Sequence, residues 1–196
     1  MTLIKTFLLT IASILFIGCG GAANSAPTTQ HTVSGEVYTK ATQTTKEEIL
    51  NAINKARSVA RDCHDGLGLV SAAPALTWNN ELYASAYEHS YDLATSNTFS
   101  HYGSGTTSDV TGSNNNEKSY FIDRIEANGY LDYKIIGENI AGGHTTIEAA
   151  VEAWIASPAH CTNLMNSEFT EVGVAVAVDE NSDYGIYWTQ SFGSKK

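Results

Sequence analysis

Apolar residues in the first part of the chain recur at helical spacing. From Ile49 to Ala60 they repeat every three or four positions, which predicts a first helix over 46–62. The residues Thr45 to Glu48 (TKEE) immediately before this run have the form of a capping box. The pattern therefore predicts that an ordered domain begins at Thr45.

A second helix is predicted near 79–97, with one apolar face and an aromatic stripe beside it. Four-residue spacing is typical of a buried helix face, and we expect the stripe to pack at the edge of the core. The apolar face comprises Leu82, Ala86, His89 and Leu93, and the stripe comprises Tyr83, Tyr87 and Tyr91.

Three shorter helical segments follow a Gly-, Ser- and Asn-rich loop over 103–116. Their boundaries are indicated by capping residues. They are a helix over 119–128 ending at Gly129, a helix from the capping box Thr145–Glu148 to Ala156, and a short helix with Ser157 as N-cap and Pro158 at its first position.

The last segments of the chain are typical of strands. Residues 171–179 and 184–192 are rich in Val, Ile, Tyr and Trp and flank a polar turn over 180–183. Helices followed by a C-terminal antiparallel hairpin indicate an α+β fold, in which helices cover a sheet.

The N-terminus has the pattern of a lipoprotein signal peptide over 1–18. Lys5 precedes a twelve-residue apolar run over 6–17, and Gly18-Cys19 follows it. We expect Cys19 to carry the lipid anchor, residues 19–44 to form a flexible tether, and residues 45–193 to form the domain. The alternative is an ordinary secretory signal with an incidental cysteine. Both place the domain outside the cytoplasm, and Gly20 predicts the outer membrane if the host is Gram-negative.

The composition excludes several classes of partner. The 178 residues after the signal hold ten Lys and Arg against twenty-one Asp and Glu, a net charge of −11. An acidic chain repels phosphate backbones and anionic headgroups, so nucleic acid is not expected as a partner. Membrane attachment should therefore depend on the acyl chains at Cys19.

Two further cysteines remain in an oxidising compartment. Cys63 and Cys161 form an even pair, which favours a disulfide. Two free buried thiols are the alternative.

Four residues are candidates for a functional site: His101, Glu138, Ser157 and His160. The sequence spacing of these residues matches no local metal-binding motif, and each also has an ordinary explanation as a cap, a turn carboxylate or a solvated side chain.

Several segments together resemble the superfamily of cysteine-rich secretory proteins, antigen five and pathogenesis-related group-one proteins, the CAP or SCP-like domain, in its bacterial branch. They follow the family's order over nearly the whole domain. The segments are Phe99–His101, Gly129-Tyr130, Gly137–Ala141, Trp154–Leu164, Phe169–Val174 and Tyr187–Gly193.

The resemblance implies a three-layer α-β-α sandwich and a cleft with two histidines and two glutamates, which holds zinc or another divalent metal in some members. Carried over, the metal ligands are His101, Glu138 and His160, while Ser157 stands where the family has its second glutamate. A cysteine after the cleft histidine, here Cys161, also fits pairing with Cys63.

Two functions follow from this resemblance. The first is a lipid-anchored, non-enzymatic module of the cell envelope whose cleft binds a metal and a small or polymeric ligand. The alternative is a metal-dependent hydrolase, a peptidase or esterase. We favour binding, because having Ser157 in place of the family's second glutamate removes a possible general base but leaves a surface that can bind a ligand.

Overall fold

The computed structural model describes residues 35–196, so Cys19, the predicted signal peptide and the tether up to residue 34 lie outside the described residues. The helices are α1 (Gly35–Thr42), α2 (Lys46–Arg57), α3 (Asn80–Ser96), α4 (Val110–Asn115), α5 (Phe121–Ala127), α6 (Ile147–Ala156) and α7 (Pro158–Met165). The strands are β1 (Arg61–Asp62), β2 (Leu69–Val70), β3 (Thr77–Trp78), β4 (Tyr133–Gly142), β5 (Glu171–Val178) and β6 (Ile186–Lys195).

The main sheet has four strands in the order β3-β5-β6-β4. The predicted C-terminal hairpin is confirmed as β5 and β6, which pair antiparallel with Val174 opposite Gln190. Strand β4, which the sequence pattern did not predict, pairs antiparallel with β6 and places Glu138 opposite Ser191. Because β4 is the last strand of this sheet, the residues around Glu138 lie at a sheet edge.

Helices cover both faces of the sheet, which confirms the α+β fold and its three layers. On one face α3 packs along β5 and β6. On the other face α1, α2 and α6 enclose a buried core around Trp154, Trp188 and Phe192. Since successive strand residues face opposite sides, β4 and β6 contribute side chains to both layers. Side chains from the helices on either face of the sheet can therefore reach its edge at β4.

Capping at the predicted helix starts is largely confirmed. The Thr45 amide donates to Glu48 Oε2 at 2.7 Å, and the Glu48 amide donates to Thr45 Oγ1 at 3.2 Å, which completes the capping box. The N-cap of α6 is Thr146 rather than Thr145, and its side chain accepts from the Ala149 amide.

The first predicted helix is too long at its C-terminal end. It ends at Arg57, with Ser58 as the C-cap residue. The Arg57 guanidinium is buried and donates to the carbonyl oxygens of Pro74 at 2.9 Å and Leu164 at 2.6 Å. Residues 61–62 pair instead with 69–70 in a two-stranded ribbon.

Two other segments differ from the expectation. Residues 35–42, which composition assigns to the tether, form α1 and bury Tyr38 and Ala41 in the main core. The tyrosine stripe on α3 is more exposed than predicted, since Tyr91 keeps 48% of its surface accessible. The α1 segment has too few apolar residues to show a helical pattern. Four-residue spacing alone does not distinguish a buried helix face from the exposed face beside it.

The predicted disulfide between Cys63 and Cys161 is confirmed, with Cα atoms 5.4 Å apart. It joins the segment after α2 to the first turn of α7 and closes a loop of 98 residues. Both cysteines are buried beside Met165.

Loss of this bond should destabilise the domain. We expect Cys63→Ser or Cys161→Ser to lower the free energy of unfolding by about 2–5 kcal/mol, because the unfolded chain regains the entropy of an open loop. Chemical denaturation should show the same loss for wild-type protein under reducing conditions. Equal stability of the oxidised and reduced forms would contradict a stabilising role.

Candidate ligand-binding cleft

Glu138 lies inside β4 rather than in the turn that its neighbouring glycine suggested. Its side chain is almost completely buried, with 1% of its surface exposed. Gly137 permits this position because a Cβ there would lie 2.8 Å from the Phe169 ring. The strand therefore holds the Glu138 carboxylate in a buried position at the edge of the sheet.

Both oxygens of the Glu138 carboxylate are occupied. Oε2 accepts from the Arg124 guanidinium at 2.8 Å, and Oε1 lies 2.8 Å from Nδ1 of His101. An ionised carboxylate only accepts hydrogen bonds, so Nδ1 of His101 is the donor in this contact. In a neutral ring with its proton on Nδ1, the other nitrogen, Nε2, is an acceptor available to a ligand.

The charge state of Glu138 follows from these contacts. Burial by itself would raise the pKa of Glu138, but the neighbouring His89 and Arg124 and the hydrogen bonds from His101 and Arg124 outweigh it. The result is a pKa of about 2. Glu138 is therefore ionised throughout the neutral range and is a weak proton acceptor.

Arg124 joins three parts of the cleft. This buried residue of α5 donates to Glu138, to the backbone oxygen of His101 at 3.1 Å and to Ser119 Oγ at 2.9 Å. Sequence analysis missed Arg124, because an arginine on a short helix carries no signal that it points inward. Its position fixes both the carboxylate and the loop that carries His101.

His160 lies in the first turn of α7 and faces His101 across the cleft. The two ring centroids are 6.2 Å apart. The His160 backbone oxygen accepts from Asn139 Nδ2 at 3.1 Å, and the adjacent Cys161 is disulfide-bonded. Burial and the neighbouring His101 lower the pKa of His160, which favours a neutral ring.

A third histidine holds the loop that carries His101. His89, predicted on the core face of α3, is fully buried, and its Nε2 lies 2.9 Å from the Ser100 carbonyl oxygen and 3.8 Å from Glu138 Oε1. A carbonyl can only accept, so Nε2 is the donor. His89 therefore positions the loop at Ser100, next to His101.

Ser157 occupies the N-cap position of α7 but makes no capping hydrogen bond with its side chain. It precedes His160 by three residues, so the two are neighbours on one helical turn. Of the predicted site residues, His101, Glu138 and His160 are brought together, and Ser157 lies one turn away.

The donor set is smaller than the predicted three-ligand metal site. Among residues 35–196, no group of three or more His, Cys, Asp or Glu side chains is arranged to hold a metal ion. Glu138 is engaged by Arg124 and His101, which leaves the two imidazoles. The described residues therefore do not supply the three protein ligands typical of a catalytic zinc site.

The fold and the cleft define a class of protein: an α-β-α sandwich with a His-Glu-His cleft at a sheet edge. The family model of the cysteine-rich secretory proteins, CAP, matches residues 50–192. The chain belongs to this family.

Two Bacillus subtilis proteins resemble the chain. It is 34% identical over 164 residues to the uncharacterized membrane protein YlbC, covering 82% of this chain and 37% of YlbC. It is 42% identical over 65 residues to the uncharacterized protein YkwD, covering 33% of this chain and 23% of YkwD. The chain therefore spans less than two fifths of the length of either relative.

Two solved structures share the fold. An extracellular protein with an SCP domain from Bacillus anthracis gives a TM-score of 0.54 at 28% identity, covering 76% of this chain and 40% of that one. An outer surface protein from Borrelia burgdorferi gives 0.53 at 18% identity, covering 78% and 97%.

The buried carboxylate should make stability depend on pH. The pKa of Glu138 is below its ordinary value of about 4.3, so its contribution to stability is complete above that value and is lost as pH falls toward 2. We expect Glu138→Gln to flatten this part of the curve of unfolding free energy against pH. The control Glu152→Gln, on the exposed side of α6, should keep the wild-type loss. The same slope in Glu138→Gln and wild type would contradict the assignment.

Proposed function

We propose that this protein is a lipid-anchored, extracytoplasmic binding module whose cleft at His101, Glu138 and His160 binds a ligand without transforming it. The observation that carries this proposal is the engagement of both Glu138 oxygens by Arg124 and His101. A carboxylate with a pKa of about 2, held by a guanidinium, is poorly matched to general base catalysis near neutral pH.

The two imidazoles are the groups that a ligand would contact. His101 is 40% exposed, and its Nε2 is left as an acceptor once Nδ1 donates to Glu138. His160 is half-buried opposite it. Glu138 thereby acts as a positioning residue that fixes the tautomer of His101, as carboxylates do for histidines at many metal sites.

Location and anchoring are supported by sequence. Gly18-Cys19 follows an apolar run of signal-peptide length. Among residues 35–196 no helix is long and apolar enough to cross a bilayer. The similar Bacillus proteins include one described as a membrane protein and one described as extracellular.

The anchor predicts membrane association through Cys19. Wild-type protein should partition into the detergent phase, and Cys19→Ser should be released or remain uncleaved because no acyl chain can be attached. Mass spectrometry of the N-terminus identifies the modification. Wholly soluble wild-type protein with an unmodified N-terminus would contradict the anchor.

Zinc would be held by the two imidazoles, with solvent or ligand completing the coordination shell. We expect weak binding that declines as pH falls through the imidazole range, because protonated histidine cannot coordinate. Calorimetric titration with zinc should lose its heat in the His101→Ala/His160→Ala variant. Equal heats for this variant and wild type would mean that the cleft is not the metal site.

Restoring the family's glutamate at position 157 gives a second test of the same site. Ser157→Glu places a carboxylate one helical turn from His160, so zinc affinity should rise if position 157 faces the cleft. The control Ser167→Glu adds the same charge at an exposed position after α7 and should leave the affinity unchanged. An equal gain in both variants would point to a general charge effect.

A further inference from the structure

Pairs of aromatic side chains occur on either side of the His101 segment. Phe99 packs on Tyr184 with ring centroids 4.8 Å apart, and Tyr102 packs on Tyr120 at 4.7 Å. Phe99, Tyr102 and Tyr184 are 43%, 55% and 45% exposed. Half-exposed aromatic rings beside polar groups are typical of ligand sites, because they offer an apolar face without being needed for the core.

The Phe99–Tyr184 pair lies at one end of β4. Alternate residues of a strand face the same side, so Gly142 shares a face with Glu138. The Tyr184 ring covers Gly142, since a Cβ there would lie 2.7 Å from Tyr184 Cγ. Four residues of strand place this pair about 13 Å along β4 from Glu138.

The Tyr102–Tyr120 pair lies toward the other end of β4. The Tyr120 ring also contacts Phe121 at 4.6 Å, and Phe121 packs on the same buried cluster as Ile136. From Ile136 to Gly142 the strand extends about 20 Å. Aromatic pairs therefore lie on both sides of the two imidazoles along this edge of the sheet. We call the surface formed by these pairs and imidazoles the groove, and its length suits a linear chain of rings.

The edge of β4 in this groove is not free to pair with a peptide. The carbonyl oxygen of Glu138 accepts from Asn163 Nδ2 at 3.2 Å, and that of Ile140 accepts from Trp154 Nε1 at 3.0 Å. Recognition of an extended peptide by strand addition depends on such backbone groups. Contacts in the groove must therefore come from aromatic faces and side-chain hydrogen bonds.

The charges of the groove disfavour an anionic ligand. Arg124 compensates Glu138 at the centre, while the exposed Asp123 and Asp183 lie close to Tyr120 and Tyr184 at the two ends. The whole chain carries a net charge of −10. Such a surface repels polyanions.

We propose that the groove binds a neutral linear oligosaccharide, with sugar rings on Phe99–Tyr184 and Tyr102–Tyr120 and hydroxyl groups at His101 and His160. A sugar ring has an apolar C–H face and a rim of hydroxyl groups, which matches aromatic rings and the ring nitrogens of imidazole. This inference rests on the proposed binding function and specifies its ligand class.

Calorimetric titration of the full chain in detergent with chitohexaose, a neutral linear hexasaccharide, tests the inference. Phe99→Leu and Tyr102→Leu keep apolar bulk but remove a ring, and each should weaken binding about fivefold or more. The control Tyr91→Leu removes a similarly exposed ring from α3 and should leave the affinity unchanged. A hyaluronan hexasaccharide, which is anionic, should not bind.

Absence of heat with chitohexaose, or equal loss of affinity in Tyr91→Leu, would overturn the inference, as would equal binding of hyaluronan. Circular dichroism of each variant separates lost contacts from lost folding. Zinc titration of the same samples separates the two proposals. Zinc heat that depends on His101 and His160 without any oligosaccharide binding would leave the cleft function intact and remove only its assignment to glycans.

Discussion

The buried ion pair between Glu138 and Arg124 is the constraint on which the cleft depends. Transfer of two charges from water is costly, and the cost is offset only when each charge finds its partner and further hydrogen bonds. Here the guanidinium also holds Ser119 and the His101 backbone, and the carboxylate also holds the His101 ring. One pair therefore joins β4, α5 and the loop after α3.

This constraint limits the chemistry of the site. An ionised carboxylate with both oxygens engaged can orient a histidine, but it is poorly suited to accept a proton or to bind a metal directly. The reactive surface of the cleft is then the pair of imidazoles, whose backbones are held by Arg124 on one side and by Asn139 and the disulfide at Cys161 on the other. Such a rigid arrangement favours recognition of a ligand of fixed shape.

Patterns among neighbouring residues predicted much of the fold, but they did not identify the residues that hold the site in place. The capping box at Thr45, the N-cap at Ser157 and the terminal hairpin depend on neighbouring residues, so the sequence pattern carried them. The roles of Arg124 and His89 depend on contacts across 11 to 49 residues, which a local periodic pattern cannot reveal. His101, Glu138 and His160 were candidates from their residue types, but only the family resemblance joined them in one cleft. The polar composition of α1 gave no sign of a helix.

The central claim is that Glu138 stays ionised throughout the neutral range and acts as a positioning residue. Carbon-13 NMR of the glutamate side-chain carboxyl carbons tests it most directly, with Glu138→Gln used to assign the signal. The account predicts that the Glu138 signal stays at its ionised position as pH falls through the ordinary glutamate range, with a midpoint of about 2. A midpoint at or above about 4.3 would contradict it.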